Sequence, residues 1–171
     1  MKHMIKQGVK LVLTNPKSPT NVGAVMRAAG CYQADEIYYT GQRYERAAKY
    51  NTDTKNACLH IPLTAIDNVL AIPLNGAELV CVELVEGATA LPEFNHPENA
   101  IYVFGAEDGT IGQDVIDQAK YVVYVPTVGC MNLAATVNVV LYDRLAKSVN
   151  YRCGDELIKA SRDTNNKVRV K

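Results

Sequence analysis

The stretch Ile101–Tyr142, IYVFGAEDGTIGQDVIDQAKYVVYVPTVGCMNLAATVNVVLY, decides the fold. It contains two short runs rich in β-branched and aromatic residues, Ile101–Phe104 and Tyr121–Val125, and such runs are typical of strands. Gly105 ends the first run and Pro126 ends the second, and a loop and a long apolar helix follow. Two strand ends, two loops and a helix start can therefore meet in one crevice, which is where open α/β sheets bind ligands.

Strand-like and helix-like segments alternate along the rest of the chain, which predicts a single α/β domain with a parallel sheet. Further strands are predicted at Val9–Thr14, Glu36–Tyr39, Leu59–Leu63 and Glu78–Val85. Helices are predicted after a cap at Thr20 or Asn21, over Thr64–Leu70 with Thr64 as its cap, over Gln113–Lys120 and over Leu133–Lys147. The segment Ala88–Asn99 is predicted as a loop. The domain is expected to span residues 1–171, with its core over residues 9–150 and a basic tail over residues 151–171.

The composition is that of a soluble globular protein, with 48% apolar and 21% charged residues in a chain of 171. No apolar run reaches the ~18 residues that a membrane-spanning helix needs. The N-terminus has no signal-peptide pattern, so a cytoplasmic protein without a membrane span is expected. The five cysteines are dispersed without a CxxC pair, which favours reduced thiols over a disulfide framework or a metal site.

Charge is distributed unevenly along the chain, although the formal net charge is zero. Residues 1–55 carry nine Lys and Arg against four Asp and Glu, residues 56–120 carry one against ten, and residues 121–171 carry eight against four. If the two ends lie together, they form a basic face suited to a nucleic acid, although solvated surface charge explains such runs equally well. In Gly41–Lys55 cations are interleaved with tyrosines, a pattern that fits either RNA bases and phosphates or an ordinary exposed helix.

The first predicted helix carries one candidate functional side chain, Arg27. Apolar residues on this helix fall on one stripe, at Val22, Val25, Met26 and Ala29. Gly23, Arg27 and Gly30 share a neighbouring strip, so Arg27 stands at the edge of the packed face beside two glycines that permit close approach of a ligand. A solvated helix arginine is the alternative interpretation.

Three motifs, taken together, resemble a known family. In chain order they are Asn21-x-Gly23-x-x-x-Arg27, then Phe104-Gly105-Ala106-Glu107-Asp108-x-x-Ile111-Gly112, then Val125-Pro126…Cys130-Met131-Asn132-Leu133. The chain thus resembles the SPOUT superfamily, and within it the SpoU-like (TrmH-type) RNA ribose 2′-O-methyltransferases. Its short length is similar to that of the compact wobble-position tRNA 2′-O-methyltransferases.

The resemblance implies an open, mostly parallel sheet with helices on both faces and a C-terminal deep trefoil knot. It also implies a homodimer with the last helix in the interface. That helix is nearly apolar on all sides as far as Tyr142, which fits burial in the core or against a second subunit. The knot comes from the resemblance alone, because general folding rules treat knots as rare exceptions.

The resemblance further implies S-adenosylmethionine as the cofactor, no metal, and RNA as the partner, with tRNA favoured and rRNA as the alternative. Carried over by motif, the residues implied in catalysis are Arg27, Asn21, Glu107 and Asn132. The residues implied in cofactor binding are Glu83, Gly105, Val125, Cys130 and Met131. The family commonly has serine where this chain has Cys130, and a thiol is a weaker hydrogen-bond donor than a hydroxyl.

The implied reaction is transfer of a methyl group to a ribose 2′-OH. Because the pKa of an arginine lies above about 12, Arg27 is expected to clamp a phosphate and stabilise a developing alkoxide rather than act as a base. Glu107, Asn21 and Asn132 are expected to orient Arg27 and the loops. A SPOUT-like RNA-binding protein without activity is the second hypothesis, and Cys130 would be its trace. A nucleotide- or NAD-binding domain is disfavoured, because no GxGxxG follows the first strand.

Overall fold

The architecture is a seven-stranded parallel sheet, seen in a computed structural model that describes residues 8–48, 61–162 and 166–170. The strands are β1 Val9–Leu13, β2 Glu36–Tyr39, β3 Leu63–Ala65, β4 Glu78–Val82, β5 Thr89–Ala90, β6 Ala100–Phe104 and β7 Tyr121–Tyr124. Their order in the sheet is β3-β2-β1-β6-β4-β7-β5, and every described pairing is parallel. The predicted α/β class is therefore confirmed, and the mostly parallel sheet is parallel throughout its described strands.

The central strand β6 shows why the sheet is covered on both faces. All five of its residues are buried, and alternate residues of a strand point to opposite faces. Tyr102 and Phe104 belong to one hydrophobic cluster, whereas Ile101 and Val103 belong to a second. Such continuous burial is typical of parallel sheets that lie between two layers of helices.

Five helices accompany the strands in the described part of the chain. They are α1 Pro19–Cys31, α2 Arg43–Ala48, α3 Gln113–Gln118, α4 Leu133–Lys147 and α5 Asp155–Ser161. Residues of α1 and α4 pack into the cluster of Tyr102, and Val115 of α3 packs into the cluster of Ile101, so helices lie on both faces as expected. The last of these helices, α5, falls within the predicted basic tail over residues 151–171.

The start of α1 differs from its prediction by a few residues. Ser18, rather than Thr20 or Asn21, is the N-cap, and its hydroxyl accepts a hydrogen bond of 3.3 Å from the backbone N–H of Asn21. Pro19 then occupies the first helical position, where its missing N–H leaves no donor unsatisfied. Asn21 is therefore a helical residue, and its side chain does not cap the helix.

The segment around Thr64 is where the sequence prediction was wrong. No helix forms over residues 64–70; instead Thr64 and Ala65 extend the sheet beside Tyr38 and Tyr39. A 3₁₀ helix begins only at Val69, because the side chain of Asn68 caps it by accepting from the N–H of Leu70. Part of the predicted strand over residues 59–63 lies outside the described residues, and the observed strand starts at its last residue.

Smaller differences concern segment ends and the predicted loop over residues 88–99. That loop contains the short strand β5 and a 3₁₀ helix over Leu91–Glu93. Strand β4 ends at Val82 rather than at Val85, because the N–H of Leu84 donates to the Glu83 carboxylate instead of to a neighbouring strand. Helix α4 has the predicted bounds.

The C-terminal half of α4 is anchored by a network of buried polar groups. Buried Arg144 donates to the carbonyls of residues 97 and 98 and to the hydroxyl of Tyr102. The ring of His96 lies between that hydroxyl, at 2.6 Å, and the carboxylate of Asp143, at 2.8 Å. Burial lowers the pKa of His96 below its ordinary value of 6.5, although the hydrogen bond with Asp143 acts in the opposite direction. A neutral ring is thus favoured, and α4 is fixed to the segment before β6.

Several further expectations concern the described residues only. No described helix is long and apolar enough to cross a membrane, and the described residues hold no cluster of three or more potential metal ligands. The four cysteines within the described ranges are free. The trefoil knot and the cytoplasmic location stay predictions.

Candidate functional site

The site lies at the carboxyl edge of the sheet, where the strand order reverses. Strands β1, β2 and β3 lie on one side of β6, and β4, β7 and β5 lie on the other. The loops after β4, β6 and β7 enclose a cavity at this edge, and the N-terminus of α4 closes it. Open α/β sheets bind ligands at such a reversal.

All five residues predicted to bind the cofactor line this one cavity. They are Glu83, Gly105, Val125, Cys130 and Met131. They come from three separate loops, and the strand register explains their convergence, because the ends of β4, β6 and β7 are neighbours in the sheet. The structure therefore brings together residues that are up to 48 positions apart in the chain.

Gly105 and Glu83 form a tight contact in the wall of the cavity. The Glu83 carboxylate accepts hydrogen bonds from the N–H of Leu84, at 2.9 Å, and from the N–H of Ile111, at 3.1 Å. A Cβ on Gly105 would lie only 2.7 Å from Glu83 Oε2. Glycine at this position thus lets the carboxylate join the loop after β4 to the loop after β6.

Three of the residues predicted in catalysis form one hydrogen-bonded chain. Asn21 Nδ2 donates to Glu107 Oε1 at 2.9 Å, and Asn132 Nδ2 donates to Asn21 Oδ1 at 2.8 Å. Asn132 Oδ1 in turn caps α4 by accepting from the N–H groups of Ala134 and Ala135. The chain links the starts of two helices to the loop after β6, across 111 residues of sequence.

Glu107 is the acceptor at the centre of this arrangement. Besides Asn21, it accepts from the backbone N–H of Lys17 at 3.0 Å and from that of Ser18 at 3.2 Å. Partial burial acts to raise the pKa of Glu107, but these hydrogen bonds outweigh it and hold the pKa below its ordinary value. An ionised carboxylate with so many donors orients its neighbours and is a poor proton acceptor.

Arg27, the fourth residue predicted in catalysis, lies outside this hydrogen-bonded chain. Its side chain is exposed on α1 and is not among the residues that line the cavity. Within the described part of the chain it makes no hydrogen bond or ion pair. The neighbouring Gly23 has open space where a Cβ would stand. Arg27 is thus available to a bound molecule, but the structure alone does not join it to the other three residues.

Sequence reasoning missed several residues that line the cavity. Those not predicted include Leu84, Ala106, Tyr124, Thr127, Leu133 and Thr136. Thr136 follows Asn132 by one helical turn, and its hydroxyl donates to the Asn132 carbonyl, so helical periodicity could have found it. The loop residues carry no such signal, because their inward orientation depends on how the loops after β4, β6 and β7 turn.

The arrangement suits a ligand that is partly apolar and partly polar. Apolar side chains and exposed main chain provide most of the cavity wall, and Glu83 and Glu107 add two carboxylates. Ligand sites commonly combine an apolar lining with a few oriented polar groups. Glu107 lines the cavity as well, and the two asparagines linked to it stand beside the cavity, where they can help to position a second reactant.

Comparison with solved structures finds the same fold in several proteins that are RNA methyltransferases. An AdoMet-bound rRNA methyltransferase from Sinorhizobium meliloti matches with a TM-score of 0.70 and 17% identity over 86% of this chain. AviRb from Streptomyces viridochromogenes, in complex with AdoMet, matches with a TM-score of 0.68 and 18% identity over 86%. The chain covers 59% and 60% of those two proteins.

A smaller structure matches over nearly all of its own length. It concerns 2-OH methylation of C/U34 on tRNA, and it matches with a TM-score of 0.62 and 23% identity, covering 81% of this chain and 95% of that one. Identities of this size show a common fold. A comparison with curated proteins finds no match.

The family model gives the more specific result. The SpoU rRNA Methylase family model matches residues 8–142, which include every residue predicted for the site. The match runs through the two strand ends, the loops and the helix start that enclose the cavity. The chain therefore belongs to the SpoU rRNA methylase family.

Proposed function

We propose that this protein is an S-adenosylmethionine-dependent RNA methyltransferase that methylates a ribose 2′-OH, with tRNA as its substrate. The observation that carries the proposal is the hydrogen-bonded chain from Glu107 through Asn21 to Asn132, beside a cavity at the reversal of the sheet. Family membership and two AdoMet-bound structures of the same fold support it.

The cavity fits S-adenosylmethionine in its chemistry. Leu84, Val125 and Leu133 offer apolar surface for an adenine, and the glycine main chain can meet its polar edge. The Glu83 carboxylate can accept hydrogen bonds from ribose hydroxyls. When bound, the cofactor supplies the methyl group on a positively charged sulfur. Cys130 lines the same cavity, and its thiol would give a weaker hydrogen bond than the serine common in the family.

Arg27 is proposed to bind the RNA at the reacting nucleotide. Because it is exposed and makes no bond within the described part of the chain, its guanidinium can take a phosphate in a bidentate manner. It would thereby hold the ribose and stabilise charge that develops on the 2′-oxygen. The proton leaves to phosphate or water, since arginine does not deprotonate. Asn21 and Asn132 position α1, on which Arg27 lies, against α4.

The choice of tRNA over rRNA rests on size and identity. This chain covers 95% of the structure that concerns tRNA methylation, whereas it covers 59% of the S. meliloti rRNA methyltransferase. The tRNA-related structure also has the higher identity, 23% against 17%. An rRNA is the alternative substrate.

A homodimer is the proposed assembly. Helix α4 buries one side in the core but exposes Val139, Tyr142 and Leu145 on the other, and Tyr142 is 61% exposed. These residues follow each other at three-residue spacing and form an apolar strip on one helix. Such a strip on a helix that begins at the cavity is typical of an interface with a second copy.

Methyl transfer is tested with methyl-labelled S-adenosylmethionine and unmodified tRNA and rRNA transcripts. A ribose 2′-O-methyl group blocks alkaline cleavage at its own nucleotide, so a labelled, cleavage-resistant position in tRNA is the expected result. Arg27→Ala should lower the rate by about 100-fold or more and leave cofactor affinity nearly unchanged. Arg152→Ala, which removes an exposed arginine from the C-terminal region, is the matched control.

Two outcomes would contradict the proposal. Absence of S-adenosylmethionine binding in calorimetry would favour an RNA-binding protein without activity. A methyl group on a base instead of a ribose would exclude 2′-O-methylation. The homodimer is tested separately by sedimentation: Tyr142→Glu should give monomers, whereas Leu74→Glu, at an exposed apolar residue elsewhere, should not.

A further inference from the structure

The loop that precedes α1 is held by an ion pair between Arg43, which lies outside the three motifs, and Asp108 of the second motif. Arg43 Nη1 donates to both carboxylate oxygens of Asp108, at 2.9 Å each. Arg43 Nη2 donates to the main-chain carbonyl of Asn15 at 2.6 Å. One guanidinium thus connects the ends of three adjacent strands, because residues 15, 43 and 108 follow β1, β2 and β6.

The backbone of Asn15 is shaped to present this carbonyl. Its φ is +46°, in the left-handed region that asparagine tolerates better than most residues. Its N–H donates to the hydroxyl of Thr40 at 3.0 Å, so both of its main-chain groups are bonded to the segment after β2. The turn before α1 is therefore fixed on that side by Thr40 and Arg43.

The same turn is fixed on its other side by Glu107, which accepts from the N–H groups of Lys17 and Ser18. Glu107 and Asp108 are consecutive, so the contacts close a ring. The ring runs from Asn15 to Ser18, through Glu107 and Asp108, and back through Arg43. Opening it at the ion pair would remove one of the attachments between this turn and the loop that carries Glu107, whose carboxylate also holds Asn21.

We propose that Arg43 and Asp108 form a latch that positions Glu107 and the start of α1 for methyl transfer. This inference rests on the proposed function. The latch acts through Glu107 and Asn21 and touches no reacting atom, so both members are positioning residues. Arg43 holds the pKa of the Asp108 carboxyl below its ordinary range, with Lys17 adding to the effect, so the latch stays charged at neutral pH. Nη1 of the guanidinium binds the carboxylate while Nη2 binds the Asn15 carbonyl, and this planar fork favours arginine here over lysine.

The first test measures the rate constant of transfer separately from the KM for RNA. In Asp108→Asn and Arg43→Gln we expect kcat to fall about tenfold, since displacement of about 1 Å at a site can cost 100-fold. KM for RNA and affinity for S-adenosylmethionine should stay within about twofold, because neither residue lines the cavity and the latch acts on the loop. The double variant should be no slower than Arg43→Gln, because two members of one latch do not add.

The matched control is Arg46→Gln. Arg46 lies on the same helix, is exposed, and donates to Gln42 at 2.8 Å. Its loss removes the same charge from the same surface without opening the ring, so kcat should be unchanged. If Arg43 instead bound RNA phosphate, Arg43→Gln would raise KM and reduce the salt dependence of binding, and Asp108→Asn would lower KM. That result would overturn the latch.

The second test does not depend on activity. Amide hydrogen exchange reports on the N–H groups of Lys17 and Ser18, which donate hydrogen bonds to the Glu107 carboxylate. Asp108→Asn should speed their exchange at least about fivefold, whereas Arg46→Gln should leave it unchanged. Unchanged exchange in Asp108→Asn would overturn the latch even in an active enzyme. If the wild type methylates no RNA, the proposed function fails, and this exchange still decides whether the latch holds the loop.

Discussion

Replacing Gly105 with alanine tests the geometry of the cavity wall most directly. The added Cβ would stand 2.7 Å from Glu83 Oε2, a distance that real Cβ atoms essentially never show. The Glu83 carboxylate cannot turn away without loss, because its two oxygens accept from the N–H groups of Leu84 and Ile111. The φ of Gly105 is not in the left-handed region, so alanine is allowed there by the backbone. Any loss of stability therefore measures the clash.

The expected loss follows from the two hydrogen bonds at risk. A hydrogen bond to a charged group contributes about 1.5–3 kcal/mol when it is buried. Glu83 is half-buried and water can replace part of each bond, so the two together should cost about 2 kcal/mol in the free energy of unfolding. Urea unfolding gives this value from the shift in midpoint at constant slope. Affinity for S-adenosylmethionine, measured by calorimetry, should fall in parallel.

Two comparisons isolate the cause. In Gly109→Ala the new Cβ meets only the Cβ of Ala106, at 3.7 Å, so its stability should stay within about 0.5 kcal/mol of wild type. In a Glu83→Ala background, Gly105→Ala should cause no further loss of stability, because the carboxylate that the new Cβ would meet is absent. Wild-type stability in Gly105→Ala, or additive losses in the double variant, would refute this account of the wall.

Three more predictions concern α4. Asn132→Asp should keep the free energy of unfolding within about 0.5 kcal/mol of wild type, since aspartate also caps a helix. It should abolish methyl transfer, because it cannot donate to Asn21. Asn132→Ala should lose both the stability from the cap and the methyl transfer. Arg144→Met should lower the free energy of unfolding by about 3 kcal/mol in urea, while Arg152→Met changes little. Because burial lowers the pKa of His96, the unfolded state binds the proton more readily than the folded state does. The wild type should therefore lose stability as pH falls below about 6.5, and His96→Gln, which has no imidazole to protonate, should lose less.

Several strands of the sheet were predictable because the residues that form them are rich in β-branched and aromatic side chains and are also largely buried. Glu36–Tyr39 forms a strand as predicted, and β6 differs from its prediction only by starting one residue earlier. The wrong assignment at residues 64–70 has a local cause. A threonine before an apolar run is a helix cap signal, but pairing with β2 takes precedence at a sheet edge, and that pairing is not visible in the sequence.

The site was partly predictable for a similar reason. The five cavity residues lie at strand ends or at the start of α4, so they converge wherever the strands are neighbours. The family resemblance supplied which of them to choose. The latch between Arg43 and Asp108 was not predictable, because it joins two loops 65 residues apart and depends on how each loop turns. The position of Arg27 relative to a bound RNA stays a prediction.

The identities of the linked residues follow from the groups at the two ends of their hydrogen-bonded chain. An ionised Glu107 only accepts, so Asn21 must present its Nδ2 to it and its Oδ1 to the other side. The N–H groups at the start of α4 only donate, so Asn132 must present its Oδ1 to them and its Nδ2 to Asn21. An amide is the shortest side chain with a donor and an acceptor on one planar group. Aspartate at either position would lack the donor, and a hydroxyl would not span the gap. The two asparagines therefore connect the ionised Glu107 in the loop after β6 to the start of α4, which lies 25 residues later in sequence. The direction of their hydrogen bonds fixes how the loop and the helix are aligned at the site.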